Sequence, residues 1–231
     1  MSFLAIALTF LSFVPAQHKQ LIVVTTENWD AVQGVAQRFD WHDGGYIKVG
    51  PSFPVVVGKT GLAWGFGLVP IHPAPDDPIK REGDGKSPAG LFALPYAFGF
   101  SKTITPLPFR TLTPTVVCPD DSHSTHYNTL VDSLEVVKDW HSAEQMGSIS
   151  GYRFGVFVAN NSDPVRPGAG SCVFLHIWRD QSHGTVGCTA MTESNIRLLL
   201  RWLDPHDRPV LVQMPVAEYV RHRKSLGLPQ L

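Results

Sequence analysis

The sequence predicts a mainly β fold with a few helices, arranged as a β-sandwich-like mixed sheet. Three observations carry that expectation. Short β-branched and aromatic runs recur, among them "LIVVTT" (21–26), "FPVVVG" (53–58), "YRFGVFVAN" (152–160) and "SCVFLHIW" (171–178). Twenty Gly and nineteen Pro punctuate the chain and call for many turns rather than a helical bundle. No internal repeat and no Pro- or Ser-rich linker divides the 231 residues, 43% of them apolar, which is enough for one domain with one good core.

Taken in order, residues 1–16 read as a secretory signal. They are apolar, carry no charged side chain and are too short for a comfortable membrane span. Val14 and Ala16 stand where small residues precede a cleavage site, so residues 17–231 are expected as the mature single domain. Residues 21–26 predict a buried strand. "NWDAVQGVAQRF" (28–39) predicts a helix, with Asn28 as N-cap and Trp29, Val32, Ala36 and Phe39 on one face. "YIKVG" (46–50) and 53–58 follow as strands. "PIKREGDGKSPAG" (78–90) predicts a solvated loop with charged pairs. It runs into a strand at "LFAL" (91–94), where a phosphate-binding loop needs a helix, so nucleotide binding is not expected. Residues 101–150 show no clear period. Core strands are expected at 152–160 and 171–178. "TESNIRLLLRWLDP" (192–205) predicts a helix capped by Thr192, striped by Ile196, Leu199, Leu200 and Leu203, and stopped by Pro205. "PVLVQMP" (209–215) is the last expected strand.

The charge balance, 19 basic against 20 acidic residues, gives no reason to expect a nucleic-acid partner or a polybasic membrane surface. Three cysteines exclude a dense disulfide scaffold and leave at least one thiol without an internal partner. In an exported chain Cys118 and Cys172 can pair and leave Cys188 free. Two buried thiols are the equal alternative. Strand alternation puts Cys172, Phe174 and His176 on one face, which also allows Cys172 to lie beside His176.

"SHGTVGCTAM" (182–191) carries the candidate chemistry. The order is strand, His176, Gly-containing loop, Gly187-Cys188, then helix. A cysteine close ahead of a helix start meets unsatisfied N–H groups, which favour a thiolate and can hold an oxyanion. With an imidazole beside it, the thiol pKa is expected to be depressed. His176 can serve as the base, because a Cys–His pair meets in space rather than in sequence. Two other readings stand beside this one. Cys188 can be a small buried side chain. His176, His183 and Cys188 can be zinc ligands, although their spacing fits no standard motif; His183 also reads simply as an exposed loop residue.

At "FLHIW…GTVGCTAM" the sequence resembles the L,D-transpeptidase catalytic-domain family, bacterial enzymes that remodel peptidoglycan with a Cys nucleophile and a His base. "VVVGKTGLAWG" (55–65), "PIKREGDGKSPAGLF" (78–92) and "VLVQMP" (210–215) fall in the family's order. "DGKSPAGLF" is similar to the family's Thr/Ser-Pro-x-Gly-x-Phe stretch. The resemblance covers roughly residues 45–215, with the expected helix in front. Val186 stands where many members carry His or Lys, and Thr189-Ala190 where many carry Ile-Arg.

The resemblance implies acyl transfer on peptidoglycan stem peptides through a thioacyl-enzyme. Alternatives are an L,D-carboxypeptidase or amidase that hydrolyses the same peptides, and a non-catalytic wall-binding protein. Cys188 would attack, His176 would take its proton, and the Gly187 and Cys188 N–H groups would hold the oxyanion. A loop backbone carbonyl would orient His176. Trp178, Arg179, Ser182 and His183 would bind substrate, and a Cys118–Cys172 disulfide would leave Cys188 free. Neither metal nor organic cofactor is implied. The expected protein is a monomer exported to the periplasm or cell envelope.

Overall fold

A computed structural model describes residues 17–231; the expected signal segment, 1–16, lies outside the described residues. The strands are β1 (Gln20–Thr26), β2 (Gln33–His42), β3 (Gly45–Val56), β4 (Leu62–Trp64), β5 (Ser87–Ala93), β6 (Ala97–Gly99) and β7 (Phe109–Thr111). They continue as β8 (Val116–Pro119), β9 (Val131–Asp132), β10 (Ala143–Gln145), β11 (Phe154–Phe157), β12 (Phe174–Ile177), β13 (Thr189–Met191) and β14 (Val210–Pro215). Two α-helices accompany them among the described residues, α1 (Glu193–Trp202) and α2 (Val216–Leu226). Eleven strands form one mixed sheet in the order β4-β5-β14-β1-β2-β3-β13-β12-β11-β6-β7, and β10-β8-β9 form a small second sheet. The fold is therefore mainly β around a large mixed sheet, as the run of short apolar segments predicts.

Period-two alternation gives β11, β12 and β13 two different faces. Val156, Leu175, Ile177 and Met191 point into the main core, where the α1 stripe of Ile196, Leu199, Leu200 and Leu203 packs. Each such buried side chain contributes roughly 1.5–3 kcal/mol. Phe157, Phe174 and Cys188 point the other way. There they meet Phe98, Val116, Cys118, Leu130 and Met146 in a second apolar cluster, to which the small sheet contributes. The candidate site sits at the edge of this second cluster.

The helix expected over 28–39 is not formed. Residues 33–42 are β2, a central strand paired antiparallel with β1 and β3. Ala36 and Phe39 are buried there as expected, but through cross-strand packing opposite Val24 and Leu21. Gly34 lies so close to the neighbouring strand that an added Cβ would stand 2.9 Å from the Thr25 carbonyl oxygen. Tertiary pairing on both edges outweighs a weak helical period. Asn28 accepts the Asp30 N–H at 3.0 Å in a turn rather than capping a helix.

Three further elements differ from expectation. The stretch 101–150 contains β7 to β10, strands of two to four residues, too short to show a period. The charged loop is not solvated throughout, because Lys80 is 4% exposed and paired with Asp84 at 2.5 Å. Helix α2 follows β14 directly. Its signals are Glu218 in the first turn, Arg223 and Lys224 in the last, and Gly227 as a left-handed C-cap.

Candidate active site

Parallel pairing of β12 and β13 sets His176 opposite Ala190. Cys188 is two residues ahead of Ala190 and therefore faces the same side of the sheet. His176 and Cys188 both line a cavity of about 420 Å³, together with Trp178, Arg179, Tyr152 and Glu144. Twelve residues of sequence separation are thus closed by two neighbouring strands.

The imidazole is held by its own strand. His176 Nδ1–H donates to the carbonyl of Ile177 at 2.8 Å, which fixes the tautomer and leaves Nε2 with its lone pair. The orienting carbonyl therefore belongs to the last residue of β12, not to a loop. The Tyr152 ring stands edge-on to the imidazole, with centroids 5.1 Å apart. Gly151 lies behind it, where an added Cβ would stand 2.8 Å from the Ile177 oxygen. Burial pulls the His176 pKa down to about 4, so the ring is neutral near pH 7.

Cys188 is 2% exposed. Its Sγ–H donates to the Cys172 carbonyl at 3.5 Å. Its own carbonyl accepts from Ser87 Oγ at 2.6 Å and Thr185 Oγ1 at 2.5 Å, and Ser87 Oγ in turn accepts the Gly58 N–H. Burial pushes the thiol pKa up, with the Glu144 charge adding to the effect; the Phe174 N–H, the Tyr152 hydroxyl and Lys80 act in the opposite direction. The expected depressed pKa is thus overturned. The residue after Cys188 opens β13, and α1 begins only at Glu193, so the cysteine does not stand at the N-terminus of that helix. Burial thus favours the neutral form of both the thiol and the imidazole.

Cys118 and Cys172 form a disulfide, with Cα atoms 6.0 Å apart. Cys188 is the free cysteine. Cys172 thus reaches the site through its backbone carbonyl, not as a second thiol.

Among the residues expected to bind substrate, Trp178, Arg179 and His183 line the cavity. Ser182 is not among its lining residues, and its hydroxyl donates to Asp180 at 2.6 Å. His183 is paired with the same carboxylate at 2.7 Å. The Gly187 N–H donates to Thr185 Oγ1 at 3.1 Å, so an oxyanion would compete with that hydroxyl. Among the described residues no three His, Cys, Asp or Glu side chains are grouped to hold a metal ion.

Four residues of the site were not singled out in the sequence. Ser87 and Thr185 lie within the quoted motifs and hold the Cys188 carbonyl. Glu144 and Tyr152 come from the far side of the cavity, where Tyr152 Oη donates to Glu144 Oε2 at 2.5 Å. Ser87 lies inside "DGKSPAGLF" and was open to notice. Glu144 lies in the stretch without periodicity and gave no signal.

A mainly β domain built on a large mixed sheet thus sets a buried cysteine, just ahead of β13, and an imidazole on the neighbouring β12 beside one cavity. The sequence matches the L,D-transpeptidase catalytic domain family (YkuD) over residues 31–212, most of the chain, and the protein belongs to that peptidoglycan-related family. The match begins ahead of the expected core, and includes β2. A solved structure, that of the helical cell shape determining protein Pgp2 from Campylobacter jejuni, is similar at 14% identity with a TM-score of 0.41. The alignment covers 86% of this chain and 48% of that one, so the chain spans about half of its length. No curated protein matches the sequence. Among the described residues no helix is long and apolar enough to cross a membrane.

Proposed function

We propose that the protein is an L,D-transpeptidase acting on peptidoglycan stem peptides, with Cys188 as nucleophile and His176 as base. One observation carries the reading: the free thiol and an imidazole whose Nε2 has no hydrogen-bond partner among the described residues line the same cavity. The resting pair being neutral, proton transfer accompanies attack. As Cys188 Sγ bonds to the peptide carbonyl carbon, Nε2 takes the thiol proton. It then passes that proton to the departing amine, and a thioester remains. The Cys188 and Gly187 N–H groups are the candidates for holding the oxyanion. An amine then attacks the thioester to give transfer, or water attacks to give L,D-carboxypeptidase-type hydrolysis. Trp178 and Arg179 offer an apolar wall and a cation to the stem peptide. The Cys118–Cys172 disulfide supports action in an oxidising compartment outside the cytoplasm.

Mass spectrometry of the protein incubated with muropeptides of defined stem length tests the reading. The expected result is a covalent adduct on Cys188 and a product shortened or joined at the stem. Wall binding with no adduct, unchanged in Cys188→Ala, would mean a non-catalytic binding protein.

A further inference from the structure

Cys188 is set between two cavities. Besides the one it shares with His176, it lines a smaller one of about 150 Å³ with Lys80, Glu82, Asp120, Glu144 and Ser171. Glu144 and Val186 also line both. The smaller cavity is lined by several charged side chains, and their charges are unequally matched. The Lys80 ammonium is already bound to Asp84 at 2.5 Å and to the Arg81 carbonyl at 2.7 Å. Glu82 accepts from the hydroxyls of Tyr127 and Ser171, neither of which brings a positive charge. Asp120 accepts from the Ser142 hydroxyl. Glu144 accepts from Tyr152 alone among the described residues and has no basic partner there. Three carboxyl groups thus face a small space beside the candidate nucleophile, and none of them is ion-paired among the described residues.

Resting on the transpeptidase reading, we propose that Glu144 recognises the amine that accepts the acyl group, binding it as a primary ammonium in the smaller cavity. The volume suits an ammonium with a short alkyl stem. The same carboxylate also serves the chemistry. The bound ammonium gives one proton to Glu144 and becomes a nucleophile. Its nitrogen bonds to the thioester carbonyl carbon, the C–S bond breaks, and the second amine proton goes to the sulfur through His176. The products are an amide, the Cys188 thiol and a protonated Glu144, which releases its proton to solvent. Burial and the charges of Asp120 and Glu82 raise the Glu144 pKa to about 7, suited to taking and releasing that proton near neutrality. Water needs no such partner, so Glu144 governs the choice between transfer and hydrolysis.

The test is the partition of the thioacyl-enzyme in Glu144→Gln, which keeps the side-chain shape and an acceptor for Tyr152. Two added acceptors are compared at neutral pH: cadaverine, which is cationic, and hydroxylamine, which is neutral. Adduct formation on Cys188 is followed separately by mass spectrometry. Transfer to cadaverine relative to hydrolysis should fall by about 10- to 100-fold, the loss of a hydrogen bond to a charged group. Transfer to hydroxylamine should stay within about threefold, and Glu144→Asp should recover part of the cadaverine transfer. An unchanged partition, or equal losses with both amines, would overturn the proposal. If the unaltered protein forms no adduct, the transpeptidase reading itself fails, which is a different result.

Discussion

His176 donates its Nδ1–H to the carbonyl of Ile177, its own neighbour in the chain, at 2.8 Å. The imidazole is thereby oriented by the strand that carries it, through a carbonyl rather than a carboxylate. The position of that carbonyl depends on Gly151, because an added Cβ would stand 2.8 Å from the oxygen and 3.3 Å from His176 Nδ1. Gly151→Ala should therefore turn the imidazole while leaving the sheet intact. Turnover is expected to fall by about 100-fold, the scale set by a small misplacement of a reacting group. Stem-peptide kinetics beside a circular-dichroism melt check this. Normal turnover in a well-folded variant would show that the carbonyl does not position the ring.

Thiol reactivity follows from the buried neutral state of Cys188. With its pKa raised, the thiolate fraction at neutral pH is far below that of an exposed thiol. Alkylation by iodoacetamide at pH 7 should be slower than for glutathione, and should climb with pH beyond the range where glutathione levels off. Glu144→Gln removes a nearby negative charge and should speed the reaction. Peptide mapping of the modified protein gives the rates. Alkylation faster than glutathione would mean a resting thiolate–imidazolium pair.

Two opposed proton linkages lie within one cavity. His176 titrates near 4 in the native state against 6.5 unfolded, so the unfolded chain binds more protons between those values. That contribution to stability is lost as pH falls through this window. Glu144 is raised from 4.5 to about 7, so the native state keeps its proton longer. Its contribution is present at low pH and is lost as pH rises from 4.5 to 7. Each linkage amounts to up to about 3 kcal/mol, and the two partly cancel. Each variant then follows the linkage of the group it keeps: His176→Gln, left with Glu144, should lose stability as pH rises from 4.5 to 7. Glu144→Gln should gain stability as pH rises from 4 to 6.5. Urea unfolding across that range separates them, and parallel profiles for all three proteins would contradict both shifts.

The Cys118–Cys172 bridge joins β8 to the segment entering β12 across 54 positions of sequence. Loop-closure entropy for a ring of that size gives about 4 kcal/mol of stabilisation. The Cys118→Ser, Cys172→Ser double variant should unfold at correspondingly lower urea. It should also lose activity before it loses structure, because the Cys172 carbonyl holds the Cys188 thiol. Comparing activity and fluorescence along one denaturant series tests this; coincident loss would confine the bridge to global stability.

Local sequence sufficed for the β-rich class, the strand at 21–26, a strand within 171–178, the helix at α1 and the cysteine and histidine of the candidate pair. Those features are written locally, in short β-branched runs, an N-cap with an apolar stripe, and a motif of few residues. Tertiary structure decided the rest. Residues 33–42 became a strand because partners on both edges offered more than a helical period could. The Cys188 thiol pKa is pushed up because the second apolar cluster encloses the side chain, which nothing in "SHGTVGCTAM" reveals. Glu144 reached the cavity from a three-residue strand in a stretch without any pattern. Its place there depends on the small sheet packing across the face of β12, and contacts between segments so far apart in the chain leave no trace in local periodicity.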